Sequence, residues 1–260
     1  MKKIGIIGLG FVGNAIKSSI KDDVWVIIDE SKGYNSTYKE LADMTDSVFV
    51  CVPTAQLSDG RCNTSILEQI IDNLKEVNYQ GVIISKCTAT PSVYKELNSK
   101  CPNLVHAPEF LTAANANEDY VNGKFAVIGG NNSEYIKQAE TVIRLTQPNL
   151  TKVAHCNIDE ASLVKYTINS FLATKVLFMN EIHELTKLSG MDYDKIAEIV
   201  KLDTRIGTSH MQVPGPDGKF GFGGACFPKD TSALLKYAQD MGMTPKVLTA
   251  AITKNHELRR

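Results

Sequence analysis

In the first half of the chain, apolar residues fall into short runs separated by glycine, proline and polar turns. That alternation predicts strands interleaved with helices. Runs at 3–7, 24–28, 47–52, 81–85, 104–106 and 125–128 read as strands. Several are apolar enough to be buried on both faces, as in a parallel sheet. Helical spacing fills the segments up to residue 20, 64–74 (with Thr64 as cap) and 133–145. After Pro148 the pattern changes. From 157 to 189 neither Gly nor Pro interrupts the chain, and Leu172, Val176, Met179, Ile182 and Leu185 recur at helical steps before Gly190 supplies a stop. This predicts a helix of about 30 residues, on the order of 45 Å long, long enough to link domains or line a subunit interface. Shorter helices follow at 192–200, 231–240 and 247–258, with a Pro- and Gly-rich loop around 213–218. The expected fold is α/β. A doubly wound parallel sheet over residues 1–150 precedes a long central helix and a helical domain over 151–260.

The first strand runs into Gly8-Leu9-Gly10-Phe11-Val12-Gly13 and then a helix, the G-x-G-x-x-G context of a dinucleotide site. There the first glycine makes the turn, the second lets a pyrophosphate approach and the third allows helix–strand packing. The helix N-terminus then faces the phosphates. Asp29 closes the second strand, 21 residues after Gly8 (29 − 8), where a carboxylate accepts from ribose hydroxyls and favours NAD over NADP. Ligands of open α/β sheets bind off the carboxyl ends of the strands, which makes Val52, Pro53, Thr54 and Thr88 site candidates by position. Glu109 follows the strand at 104–106, where water is its default environment.

A second constellation lies near the far end. Phe220–Asp230 reads FGFGGACFPKD, a glycine-rich cradle that delivers Cys226 to the start of a helix beside Lys229 and Asp230. Such a thiol is a candidate nucleophile. On the long helix, Lys165 and Asn169 stand four residues apart on one face, suited to a developing oxyanion if they are not simply solvated.

Composition narrows the function. A net charge of −1 and the lack of a basic run interleaved with aromatics disfavour nucleic acid as a partner. The six cysteines are scattered, with no metal-like pairing with the five histidines. No apolar stretch approaches the ~18 residues of a membrane span. The expectation is a cytoplasmic protein that uses no metal.

Seven segments in order, GLGFVG (8–13), VPT (52–54), KCTATP (86–91), APEFL (107–111), LVKYTINSFLATK (163–175), RIG (205–207) and FGFGGACFPKD (220–230), resemble the UDP-glucose/GDP-mannose dehydrogenase family along essentially the whole chain. The resemblance implies a homodimer through the long helix and an NAD-dependent, metal-free, two-step oxidation of a nucleotide sugar. It implies Cys226 as nucleophile and Lys165 and Asn169 as oxyanion stabilisers. Asp230 works with Thr88 on water, and Glu109 assists thioester hydrolysis. NAD contacts fall to Gly8, Gly10, Phe11, Val12, Gly13, Asp29, Val52, Pro53, Thr54, Thr88 and Lys229. Sugar contacts fall to Glu109, Phe110, Leu111, Lys165, Asn169 and Arg205, with Phe220 and glycines 221, 223 and 224 as a cradle whose N–H groups meet the sugar. The family's acid and glycine after PEFL are replaced by Thr112-Ala113-Ala114, and the loop from Gly215 to Gly221 is longer than the family's. The family's third, nucleotide-covering domain would follow where this sequence stops, so the chain is expected to be either a fragment or a naturally short form, and either active or reduced to an NAD-binding dimerisation module.

Overall fold

The computed structural model describes residues 3–20, 24–112 and 115–260, so Ala113 and Ala114 lie outside the described residues. The chain divides into one unit of Met1–Ala55 with Cys62–Lys165 and a second of Gln56–Arg61 with Tyr166–Arg260.

The first unit is a layered α/β domain. Its strands are β1 (Lys3–Ile7), β2 (Trp25–Asp29), β3 (Tyr34–Asn35), β4 (Thr45–Val50), β5 (Val82–Ser85), β6 (Leu104–His106), β7 (Phe125–Gly129) and β8 (Lys152–Cys156). They form one sheet in the order β3-β2-β1-β4-β5-β6-β7-β8. Strand order reverses between β1 and β4, third and fourth in the sheet, which makes the carboxyl ends of that pair the switch point. The sheet is mostly parallel rather than wholly so, because β2–β3 and β6–β7 pair antiparallel.

Alternate strand residues feed two cores, as the two-residue period dictates. Ile4, Ile6, Phe49, Ile84 and Ile128 pack with residues of α1 (Phe11–Ser19), α5 (Ala116–Asn122) and α6 (Ser133–Thr146). Ile7, Val26, Val48, Val50 and Ile83 pack on the other face with α2 (Tyr38–Met44), α3 (Ser65–Glu76) and α4 (Pro91–Lys100). Each fully buried Ile or Phe contributes on the order of 1.5–3 kcal/mol against the conformational entropy of ordering.

Five elements escape the periodicity of the sequence: β3, α2, α4, α5 and β8. The strand at 125–128 is therefore not the last. β8 reads Lys-Val-Ala-His-Cys, largely exposed at the sheet edge, so it lacks the apolar run of a central strand. α2 is set by a capping box, in which Thr37 accepts from the Glu40 N–H and the Glu40 carboxylate accepts from the Thr37 N–H. α4 starts on Pro91 at its first turn.

The long helix, α7, runs Ile158–Leu188, 31 residues, and the division between units falls within it. Its start is held by the Glu160 carboxylate, which accepts from the Asn157 N–H at 2.7 Å. The second unit adds α8 (Tyr193–Val200), α9 (Phe227–Asp240) and α10 (Lys246–Leu258). Its cores are small: Met179, Tyr193, Ala197, Met211 and Val213 in one, and Ala173, Leu177, Phe222 and Ala251 in the other.

His106 sits buried at the end of β6, stacked on Tyr94 with ring centroids 4.0 Å apart. Its Nδ1 lies 3.1 Å from the Ser85 carbonyl, and among the described residues its Nε2 has no partner. That is the pattern of a neutral ring with Nδ1–H donating. Burial pushes its pKa down from 6.5 to about 3, opposed only by the Ser85 bond. The folded value lies below the unfolded one, so the unfolded chain binds the extra proton. Stability from this group is intact above about pH 6.5 and is lost as pH falls towards 3. Urea unfolding across that window is expected to show a slope component approaching about 1.4 kcal/mol per pH unit that His106→Gln removes. An unchanged slope in the variant would refute the assignment.

Candidate active site

The glycine turn is built as a phosphate-binding turn requires. Gly8 has φ of +93°, and a side chain there would meet the Cys51 carbonyl oxygen at 2.8 Å. A Cβ on Gly13 would stand 2.0 Å from the Gly8 carbonyl oxygen, so only glycine lets α1 pack onto β1. The space beside Gly10 is open, with nothing within 4 Å of the point a Cβ would occupy. Gly10 is also the N-cap of α1 and offers no capping oxygen, which leaves the helix N-terminal amides to an anion.

Asp29 is where the spacing put it, at the end of β2. Its Oδ2 accepts from the Leu9 N–H at 2.6 Å and its Oδ1 from the Ser31 hydroxyl at 2.6 Å. Desolvation works to raise its pKa, but the Ser31, Leu9 and Lys32 contacts together hold it below the usual carboxylate value. The acid therefore stays ionised and already braces the glycine turn. A crevice of about 360 Å³ opens between Gly8–Gly10, Asp29, Lys32 and Cys51–Pro53, at the switch point. Phe11 is exposed, Val12 and Val52 are half-buried, Pro53 is exposed and Thr54 is buried. A larger cavity, about 1020 Å³, lies at the opposite, amino-terminal ends of β1, β4 and β5, near Asp46, Asn78 and Arg144. It is remote from these groups.

Thr88, half-buried, follows β5 in the loop that also holds Lys86. Glu109 departs from the default of facing water. Its side chain is 12% exposed, and its carboxylate pairs at 3.1 Å with Nζ of Lys86, whose side chain is 2% exposed. Lys86 also lies 5.7 Å from the centre of the Tyr120 ring. A charge buried this far needs a partner, and each supplies the other's. Lys165 is buried too: its Nζ donates to the Glu109 backbone carbonyl and stands 5.3 Å from the centre of the Phe110 ring. Phe110 and Leu111 are half-buried.

In the second unit, Cys226 is exposed and is the N-cap of α9. Asp230, one turn on, is 1% exposed, and its N–H donates to the Cys226 carbonyl at 2.8 Å. Its Oδ2 accepts from Asn169 Nδ2 at 2.6 Å and its Oδ1 from Lys229 Nζ at 2.7 Å. Asn169 is buried, not a surface residue. Arg205 is 87% exposed and pairs with Asp203 at 2.6 Å. The loop after it is tied to α7 by Lys175, whose Nζ donates to the carbonyls of Ile206, Gly207 and Ser209. Burial lowers the pKa of Lys175.

The cradle differs from expectation at one point. The Gly221 N–H does not wait for a ligand: it donates to Asn180 Oδ1 at 3.0 Å. Phe220 is exposed, Gly223 half-buried and Gly224 exposed. Lys86, Lys175 and Asn180 escape sequence reasoning because their partners are 23 to 41 residues away. For Lys86 the signal was available, as a lysine directly after an apolar strand.

Two models of one family match the chain. The UDP-glucose/GDP-mannose dehydrogenase family's NAD binding domain matches residues 29–147, and its central domain matches 159–257. The chain is 31% identical to the UDP-glucose 6-dehydrogenase TuaD of Bacillus subtilis, over 100% of this chain and 64% of that protein. It is 34% identical to a UDP-glucose 6-dehydrogenase of Rickettsia bellii, over 86% and 52% respectively. It therefore spans between half and two thirds of these relatives' lengths. A UDP-glucose dehydrogenase structure from Pyrobaculum islandicum superposes with a TM-score of 0.82 at 23% identity, covering 99% of this chain and 68% of that one, a likeness of fold.

Lys86→Met would leave Glu109 buried without its cation. Unfolding free energy is expected to drop by about 3 kcal/mol, the low end for a broken buried pair, read from the urea midpoint. Removing both charges, in Lys86→Met with Glu109→Leu, should recover most of the loss. A single variant as stable as wild type would show that the pair carries no such weight.

Proposed function

Because the chain belongs to the UDP-glucose/GDP-mannose dehydrogenase family, we propose that it oxidises the C6 alcohol of a nucleotide sugar to a carboxylate, with UDP-glucose the first candidate. The observation that carries this reading is Cys226, exposed at the head of α9 on a glycine cradle, with the buried Asp230 one turn behind it. A single oxidation of an alcohol has no use for a nucleophilic thiol. An alcohol-to-acid conversion does, because the aldehyde must be held and turned into something that can lose a second hydride.

The turn at Gly8, Gly10 and Gly13 and the carboxylate of Asp29 suit NAD, with Phe11, Val12, Val52, Pro53, Thr54, Thr88 and Lys229 as further candidate contacts. NAD, when bound, accepts a hydride at each of the two oxidations. In the first oxidation the hydroxyl proton passes to water as the C6 hydride leaves, and the Lys165 ammonium helps that deprotonation by stabilising the alkoxide oxygen. The Cys226 sulfur adds to the aldehyde carbon, its proton passing to the carbonyl oxygen, to give a thiohemiacetal. Loss of the second hydride and the hydroxyl proton leaves a thioester. Water, held by Asp230 and Thr88 and assisted by Glu109, cleaves the C–S bond, releasing the acid and restoring the thiol. Lys165 and Asn169 stabilise negative oxygen in the tetrahedral species. Phe110, Leu111, Arg205, Phe220, Gly223 and Gly224 are the proposed sugar contacts.

The assembly we assign is a homodimer formed on α7. Phe171, Phe178 and Leu185 repeat every seven residues and are 66%, 59% and 54% exposed in the single chain, a seam suited to another copy of itself. The setting is cytoplasmic, in keeping with six cysteines that are all free. Among the described residues no helix is long and apolar enough to cross a membrane.

A second reading is an NAD-binding dimerisation module with little turnover, favoured by the Gly221 N–H, expected to meet the sugar, being already taken by Asn180. NADH release with UDP-glucose and NAD separates them. Two NADH per sugar are expected from wild type, with acid formation at least about a thousandfold slower in Cys226→Ser. Bound NAD without turnover would select the module. Separately, Phe171→Asp with Phe178→Asp should weaken dimerisation about a hundredfold by sedimentation. A dimer unmoved by those changes would place the interface elsewhere.

A further inference from the structure

Cys226 is reached through three small residues, Gly223, Gly224 and Ala225, and a thiol on such a tether is accurately placed only if both ends of the tether are fixed. The downstream end is α9, pinned at its first turn by Asp230 and Asn169. The upstream end is held by three side chains that the reading above leaves without a role. The Gly221 N–H donates to Asn180 Oδ1 at 3.0 Å, and the Phe222 N–H to Asn255 Oδ1 at 2.7 Å. Arg259 donates from Nη2 to the Gly221 carbonyl at 2.9 Å and from Nη1 to Asp217 Oδ2 at 2.6 Å. Successive backbone groups are thus gripped from α7 by Asn180 and from α10 and its end by Asn255 and Arg259.

The fit leaves no slack. Gly221 has φ of +72°, and a Cβ there would stand 2.5 Å from Asn255 Oδ1. A Cβ on Gly223 would stand 2.7 Å from the Arg259 guanidinium. Asn180 and Asn255 are both 6% exposed, so their oxygens accept in a dry setting where losing one leaves a buried N–H unpaired. Phe222, 4% exposed, sits edge-on to Phe227, the residue after Cys226, with ring centroids 6.2 Å apart. The clamp thereby reaches across the tether to the start of α9.

We propose that Asn180, Asn255 and Arg259 are positioning residues for the Cys226 sulfur. They act through the Gly221–Phe222 backbone and the Phe222–Phe227 contact, and the proposal rests on the reading of Cys226 as nucleophile.

The test uses the full chain and does not need turnover. Alkylation of Cys226 by iodoacetamide is followed by peptide mass spectrometry, with the urea-unfolded chain as reference, and amide exchange is followed over 220–227. Asn255→Ala is expected to raise exchange there about tenfold or more. It should also move the alkylation rate at least about threefold towards the unfolded reference. Arg259→Met, at the edge of the fold, should act in the same direction and decides the matter if Asn255→Ala does not fold. Asn255→Asp keeps an accepting oxygen in place and should hold amide exchange over 220–227, its only readout because the added charge also acts on the thiol, within about twofold of wild type. Rates unchanged in both Asn255→Ala and Arg259→Met, or an Asn255→Asp that behaves like Asn255→Ala, would overturn the proposal. NADH yield on the same samples keeps the two readings apart. A silent wild type whose variants shift as expected supports the clamp and counts against the dehydrogenase reading alone.

Discussion

Charge taken out of water must find a partner in the folded chain, and that constraint organises the candidate site residues of each unit. Lys86 and Glu109 satisfy each other, and Lys165 is held by the carbonyl of the same glutamate and by the adjacent aromatic ring. Asp230 is held by an amide and an ammonium. Left alone, each of these groups would destabilise the fold by several kcal/mol. Satisfied, each is fixed in place. A chemistry that moves protons and stabilises oxyanions needs fixed polar groups in low-dielectric surroundings, where they are worth more than in water. The pairing that lets the groups be buried is also what orients them.

The glycine turn follows from a different constraint, the space between backbones. A Cβ on Gly8 would meet the Cys51 carbonyl and one on Gly13 the Gly8 carbonyl, and the second of these close approaches brings α1 down onto β1 at the switch point. Asp29 then reaches back to the Leu9 amide. A ligand entering the crevice meets a turn already braced, so little of its binding energy goes into ordering that loop.

Much of this was legible in the sequence, for physical reasons that differ by residue. The geometry of the turn at 8–13 and the place of Asp29 were legible because they are local, set by spacing along one strand–turn–helix unit. α7 was legible because 31 residues without Gly or Pro leave the backbone little else to do. β8 was not, because an edge strand such as Lys-Val-Ala-His-Cys carries no apolar alternation. Nor were α2 and α4, whose starts rest on a capping box and a first-turn proline rather than on a long apolar stripe. Glu109 was misjudged as facing water for a related reason. Its environment is decided by a lysine 23 residues earlier in the chain, and no local pattern reports a pairing across two strands.

The choice of neutral amides around the cysteine loop follows from the same electrostatics. Backbone N–H groups at Gly221 and Phe222 need acceptors, and a carboxylate would bind them more tightly than an amide does. It would also bring another buried negative charge to a region that already holds Asp230 at 1% exposure, and it would oppose the development of negative charge on oxygen during the proposed reaction. Asparagine supplies the acceptor without the charge. Arg259 takes the opposite part, a cation that grips a carbonyl and is itself balanced by Asp217 at the surface. The loop that delivers Cys226 is thus fixed by neutral amides inside and by a compensated ion pair outside. That arrangement gives rigidity without placing a net charge beside the sulfur.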